Sequence, residues 1–136
     1  MKVYKREGRR FVQIQDVTGM YLQKDKTFQK ERDENSIGRC VLQTPNSRKV
    51  ALFDTFKGTW EECKQFCTNC GGYMPNRNEI VIARLYVNLR GWYWTCEEFS
   101  QSDAWYLRLF KSTFGIVLCN SKNYRRSVVA FVEIPI

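Results

Sequence analysis

Residues 59–80 read TWEECKQFCTNCGGYMPNRNEI. The Thr59 hydroxyl can accept from the amide of residue 62 while the Glu62 carboxylate reaches back, so TWEE has the form of a capping box. Trp60, Cys63, Phe66, Cys67 and Cys70 then recur at helical spacing, and Gly71-Gly72 stops the helix. A second start follows Pro75, with Asn76 as cap and Glu79 three residues on. Its apolar set is Ile80, Val81, Ala83, Leu85, Tyr86 and Leu89, ended by Gly91. Two successive helices are thus predicted in mid-chain.

On both sides of this stretch the period falls to two. Upstream, Val3-Tyr4, RRFVQIQDV and MYLQK are separated by Glu7-Gly8 and Thr18-Gly19, which predicts two or three strands joined by tight turns. Residues 25–48 are polar and end in Pro45-Asn46-Ser47, so the expectation there is a long loop or insertion around a short strand at Cys40 to Gln43, followed by a strand at KVALFD. Downstream, GWYWT, AWYLRLF, GIVLC and SVVAFVEI are strand candidates separated by polar links at Lys111-Ser112-Thr113 and Asn120 to Asn123. In AWYLRLF, alternation places Trp105, Leu107 and Leu109 on one face and Tyr106, Arg108 and Phe110 on the other. The apolar run Val128 to Val132 suits a strand covered on both faces. Strands, two helices, then strands make an α+β chain.

The 136 residues include 43% hydrophobic and 15% aromatic side chains, enough to predict one folded domain over 1–136. MKVYKREGRR has no apolar core of the kind an export signal needs, and no apolar run approaches the ~20 residues of a membrane span. The expectation is a soluble product of the cytoplasm with no membrane partner. The net charge of +8 is concentrated before Thr59, which allows a nucleic-acid or other anionic partner for that half. Glu7, Asp25, Glu31, Asp33 and Glu34 interrupt the basic residues, and a solvated face that aids solubility is the competing reading.

Six cysteines stand at positions 40, 63, 67, 70, 96 and 119. Without an export signal the reading is free, mostly buried thiols. The C-x3-C-x2-C run at 63–70 could join Cys96 or Cys119 in an all-cysteine zinc site, the alternative, since the sequence has no histidine. No metal or cofactor is otherwise expected.

TGMYLQK (18–24), TWEECKQFC (59–67), GGYMPNRNEI (71–80), YWTCEEFSQSDAWYLRL (93–109) and NYRRSVVAFV (123–132) together resemble, in order, the Lcl C-terminal-like family. The resemblance implies a C-type-lectin-like fold: paired terminal strands, two helices on the sheet and loops that carry a variable binding surface. It also implies that Trp94 and Trp105 are scaffold, each burying a large area and needing one partner for its N–H. The chain departs from the family at Leu22, where a tryptophan is usual, at Thr95-Cys96 and at Ala130-Phe131.

The lectin calcium signature is absent, since MPN at 74–76 has no WND to follow it, and calcium-independent binding is expected. Glu97, Glu98 and Asp103 form a candidate oxygen cluster in a loop at 97–103. Adjacent carboxylates on a strand point apart, and with no histidine the commonest general base is missing, so the chain reads as no enzyme. Cys96 and Cys119 would have to face one another to imitate the copper-binding pair of the related oxidases. The expected role is a non-catalytic binding or structural module presenting loops to a protein or glycan. A phage virion accessory protein of capsid or tail, released by lysis, would reconcile a lectin-like domain with the missing signal. Candidate ligand residues are Glu97, Glu98, Asp103, Tyr106, Arg108, Asn123, Tyr124, Arg125 and Arg126.

Overall fold

The computed structural model of the chain describes residues 2–110 and 113–136. Ten strands and two helices follow in chain order: β1 (Val3–Glu7), β2 (Arg10–Ile14), β3 (Tyr21–Gln23), β4 (Phe28–Gln29), β5 (Ser36–Gln43), β6 (Ser47–Gly58), α1 (Trp60–Asn69), α2 (Arg77–Ala83), β7 (Gly91–Glu98), β8 (Asp103–Phe110), β9 (Thr113–Ser121) and β10 (Arg126–Pro135). The α+β order is the one expected. The predicted link at Lys111 and Ser112 lies outside the described residues.

Eight strands form one sheet in the order β4-β3-β5-β6-β10-β7-β8-β9, antiparallel except where β10 meets β7. The first two strands stand apart as a hairpin, turned at Gly8, whose φ of 62° suits a residue without a Cβ. Among the described residues the first and last strands therefore do not pair: β10 sits inside the sheet between β6 and β7, and β1 pairs with β2. Within 25–48 the expected long loop is largely ordered strand, since β5 runs eight residues and pairs with both β3 and β6. β5 is half-buried in an alternating way: Val41 joins Ile80 and Ala83 under α2 and Cys40 joins the cluster with Leu22 and Val50, while Ser36, Arg39 and Leu42 are only partly buried.

Val128, Val129, Ala130 and Phe131 are all fully buried, and they divide between two cores. Val128 and Ala130 join Trp60, Cys63, Cys67, Trp94, Ala104 and Tyr106 beneath α1. Val129 and Phe131 join Ile80, Ala83, Tyr93, Leu107 and Leu109 beneath α2. A strand with a helix against each face must be apolar at successive positions. A third cluster, Val17, Leu22, Cys40 and Val50, closes the other end of the sheet.

Both helices begin with the predicted capping box, Thr59 with Glu62 and Asn76 with Glu79. The second helix is only seven residues long, however, and does not reach Gly91. Its amides at Leu85 and Tyr86 bond to the carbonyls three residues back, the tightening that ends an α-helix, and Leu85 is left 78% exposed. Leu89 still reaches the core, from the irregular link that leads into β7.

Between the helices, Tyr73 and Phe131 exchange backbone hydrogen bonds of 2.8 and 3.0 Å. The approach depends on Gly72, where a Cβ would stand 1.9 Å from the Phe131 carbonyl oxygen. Gly72→Ala must push the segment off β10 and is expected to cost about 1–3 kcal/mol in urea unfolding, the range for overpacking. An unchanged midpoint would show that the two backbones need not touch.

Candidate functional site

The side chains on the β7–β8 faces follow from register. Trp92 is opposite Arg108, and Trp94 opposite Tyr106, so these four share one face. Ser127 pairs with Tyr93, which turns Arg126 and Val128 to that same face. Beneath α1 the face is core. Beyond the helix it emerges as Arg126, Trp92, Arg108 and Phe110, with Tyr124 added from the turn before β10.

The guanidinium of Arg126 lies 4.4 Å from the Trp92 ring centre, 5.0 Å from Tyr106 and 5.4 Å from Tyr124. That of Arg108 lies 4.4 Å from Phe110 and 5.7 Å from Trp92. These distances are within the ~6 Å at which a ring quadrupole attracts a cation. The rings remain in contact with solvent: Trp92 is 41%, Tyr124 52% and Phe110 37% exposed. Arg126 gives one hydrogen bond to the Arg125 carbonyl, and its enclosed Nε has no protein partner, so ring contacts hold the group. A shallow cavity of about 350 Å³ opens beside it, lined by Lys57, Gly91, Trp92, Arg125, Arg126 and Ser127. Arg125 donates to the Lys57 carbonyl at 3.1 Å and lies 3.7 Å from Glu62.

The candidate residues thus separate into two groups. Arg108, Tyr124, Arg125 and Arg126 gather on the arginine–aromatic face, with Asn123 exposed in the adjoining turn. Tyr106 shares that face but is only 7% exposed, lying under Arg126 and edge-on to Trp94 at 5.8 Å. Its ring belongs to the core cluster of Trp60, Trp94 and Val128 and reaches the open part of the face only beneath Arg126.

The carboxylates form no oxygen cluster. Glu97 takes two hydrogen bonds from Arg77, at its amide and its Nε, while Glu98 pairs with Lys122 at 2.7 Å. The hydrogen bond from Lys122 lowers the Glu98 carboxyl below its ordinary range. Asp103 opens β8, its carbonyl accepting from the amides of Phe99 and Ser100. The two loops at 97–103 and 120–126 do meet, because Lys122 donates to the Gln101 carbonyl and its amide to that of Ser102.

Trp94 is fully buried as expected, but Trp105 is not: it is half-buried, edge-on to Phe99 and 5.8 Å from the Arg77 guanidinium. It lies past the end of α2's cover. Cys96 and Cys119 sit on β7 and β9 with β8 between them, about 10 Å apart by strand spacing, and do not face each other. Cys63 and Cys67 are buried under α1, where desolvation raises their thiols to about 11 and about 12. Cys40 belongs to the third core cluster, at the other end of the sheet. No group of three or more cysteine or carboxylate side chains among the described residues is arranged to hold a metal ion.

Sequence reasoning missed Trp92, Phe110 and Lys57. A signal for Trp92 was present, since alternation in GWYWT puts it on the face of Trp94. Its meeting with Arg108 and Arg126 needs the register of three strands. Among the described residues no helix is long and apolar enough to cross a membrane. Comparison with protein-family models, with curated proteins and with solved structures returned no match for this chain.

Proposed function

We propose that the chain is a non-catalytic binding module of C-type-lectin-like character, whose ligand surface is the open face formed by Trp92, Arg108, Tyr124, Arg125 and Arg126. One observation carries the reading: Arg126 is held by three aromatic rings, two of them open to solvent, beside a cavity lined with cations and a tryptophan. Guanidinium donors beside exposed ring faces offer directed hydrogen bonds and stacking, the combination that fixes a saccharide or an acidic protein loop. The surface supplies donors, and its rings supply faces, but it holds no paired acid and base. A virion accessory role in a phage capsid or tail is the setting we favour for such a module.

The test begins with an oligosaccharide array and a pull-down from purified particles, each probed with the full chain. Tyr124→Ala and Arg126→Ala are each expected to weaken the interaction found at least ~30-fold, as central aromatic and arginine contacts do. Tyr124→Ala should leave the unfolding midpoint in place, whereas Arg126→Ala should also cost about 1–2 kcal/mol of stability through its ring contacts. Binding that survives both substitutions would remove this face as the ligand surface. If immunoblots find the chain only free in lysates and never on particles, the virion setting is wrong.

A further inference from the structure

Among the described residues, the hairpin of β1 and β2 belongs to none of the three core clusters. Val3 is buried and Lys5 Nζ donates to the Ile136 carbonyl at 2.8 Å, which fixes the base of the ribbon to the body. From Arg6 to Gln13 every residue is exposed. Its charges are distributed in a particular way. Arg6 is opposite Phe11 and Tyr4 opposite Gln13, so one face carries Arg6, Phe11 and Tyr4. Arg10 is opposite Glu7 on the other face, and Arg9 lies at the tip. Glu7 is the sole carboxylate between Val3 and Ile14.

We propose that this ribbon is an arm that enters a groove of duplex nucleic acid, an activity separate from the sheet-face ligand site. Cations on both faces and the tip match a partner that presents phosphates on two walls. A flat anionic surface, such as a lipid headgroup layer, would be met by cations on one face only. The dimensions agree, since a five-residue strand extends about 17 Å and the major groove, about 12 Å wide, admits a two-stranded ribbon. Phe11, 73% exposed beside Arg6, supplies an apolar contact of the kind that meets a thymine methyl.

The experiment is a fluorescence-anisotropy titration of the full chain against a labelled 20-base-pair DNA duplex from 50 to 200 mM salt. Each phosphate contact adds about 0.9 to the slope of log affinity against log salt. The triple variant Arg6→Ala, Arg9→Ala, Arg10→Ala is therefore expected to flatten the slope by about 3 and to weaken binding at 50 mM salt more than tenfold. Phe11→Ala should weaken binding with the slope unchanged, and Tyr124→Ala should do neither. Should the triple variant unfold, Arg9→Ala in the turn alone must lower the slope by about 1. The proposal fails if duplex is not bound at 100 µM protein in 50 mM salt, or if the variants bind with the wild-type slope. It fails equally if anionic phosphatidylserine vesicles or single-stranded oligothymidylate are bound and duplex is not.

Discussion

Trp94→Ala is expected to cost about 3–5 kcal/mol in urea unfolding, the range for removing a large aromatic from a core. The ring is fully buried, meets Tyr106 edge-on with planes 79° apart, and donates from Nε1 to the Gly58 carbonyl at 3.2 Å. Trp60 makes the reciprocal tie, from its own Nε1 to the Thr95 carbonyl at 2.8 Å. The two indoles thus fasten the start of α1 to β7 from both sides. Collapse into the vacated space is opposed because Tyr106, Trp60 and Val128 belong to rigid elements, so most of the cavity should persist. Trp94→Phe keeps much of the area and forfeits the hydrogen bond, for an expected loss of about 1–2 kcal/mol. Trp105→Ala should cost no more than that, because its ring is already partly in water. Quenching by iodide separates the same residues: Trp92 and Trp105 should respond and Trp60 and Trp94 should not. A Trp94→Ala loss under 1 kcal/mol would show that α1 does not depend on this ring.

These contrasts mark what the sequence could reveal. Capping boxes were legible because they act over three residues, and Thr59–Glu62 and Asn76–Glu79 form as read. The apolar run of β10 announced a strand covered twice. The faces of β8 were legible as alternation, but which end of each face a helix would cover was not, and so Tyr106 and Trp105 exchange the exposures expected of them. The short second helix was hidden for a similar reason: helical spacing continues past Ala83, while Leu89 gains its burial from the irregular link before β7. The segment 25–48 is polar on average, and the few apolar residues of β5, such as Val41 under α2 and Cys40 in the third cluster, are too sparse for composition to announce a strand. The candidate site was half visible. Arg108, Tyr124 and Arg126 stood out as exposed chemistry near strand ends, but their convergence on Trp92 is a property of β10 lying parallel beside β7, a non-local pairing that no local pattern encodes.

Glu79→Ala is expected to cost about 3 kcal/mol, through a network that the helix cap conceals in the sequence. Glu79 Oε1 accepts the Asn76 amide at 3.0 Å, closing the cap, while Oε2 accepts from the Tyr73 hydroxyl at 2.6 Å and from Lys49 Nζ at 3.0 Å. The carboxylate side chain is 9% exposed and Lys49 26%. Removing it leaves a partly buried hydroxyl and a partly buried ammonium without their partner, which places the cost at the lower edge of the 3–5 kcal/mol typical of a broken buried pair. Burial alone would raise the Glu79 carboxyl, but the hydrogen bonds from Tyr73, the Asn76 amide and Lys49 outweigh it and hold the group below its ordinary value. Its contribution is therefore present above about pH 4.3, the unfolded carboxyl value, and is lost as pH falls through the lower folded value. Tyr73 shifts the other way, because burial and the bond to Glu79 raise its hydroxyl. That contribution is intact below about pH 10 and is lost as pH rises further. Urea midpoints measured from pH 3 to pH 6 should fall toward acid more steeply in the parent chain than in Glu79→Gln, which has no carboxyl to protonate. Parallel curves would mean that the Lys49–Glu79–Tyr73 contacts do not set the acid limit of this fold.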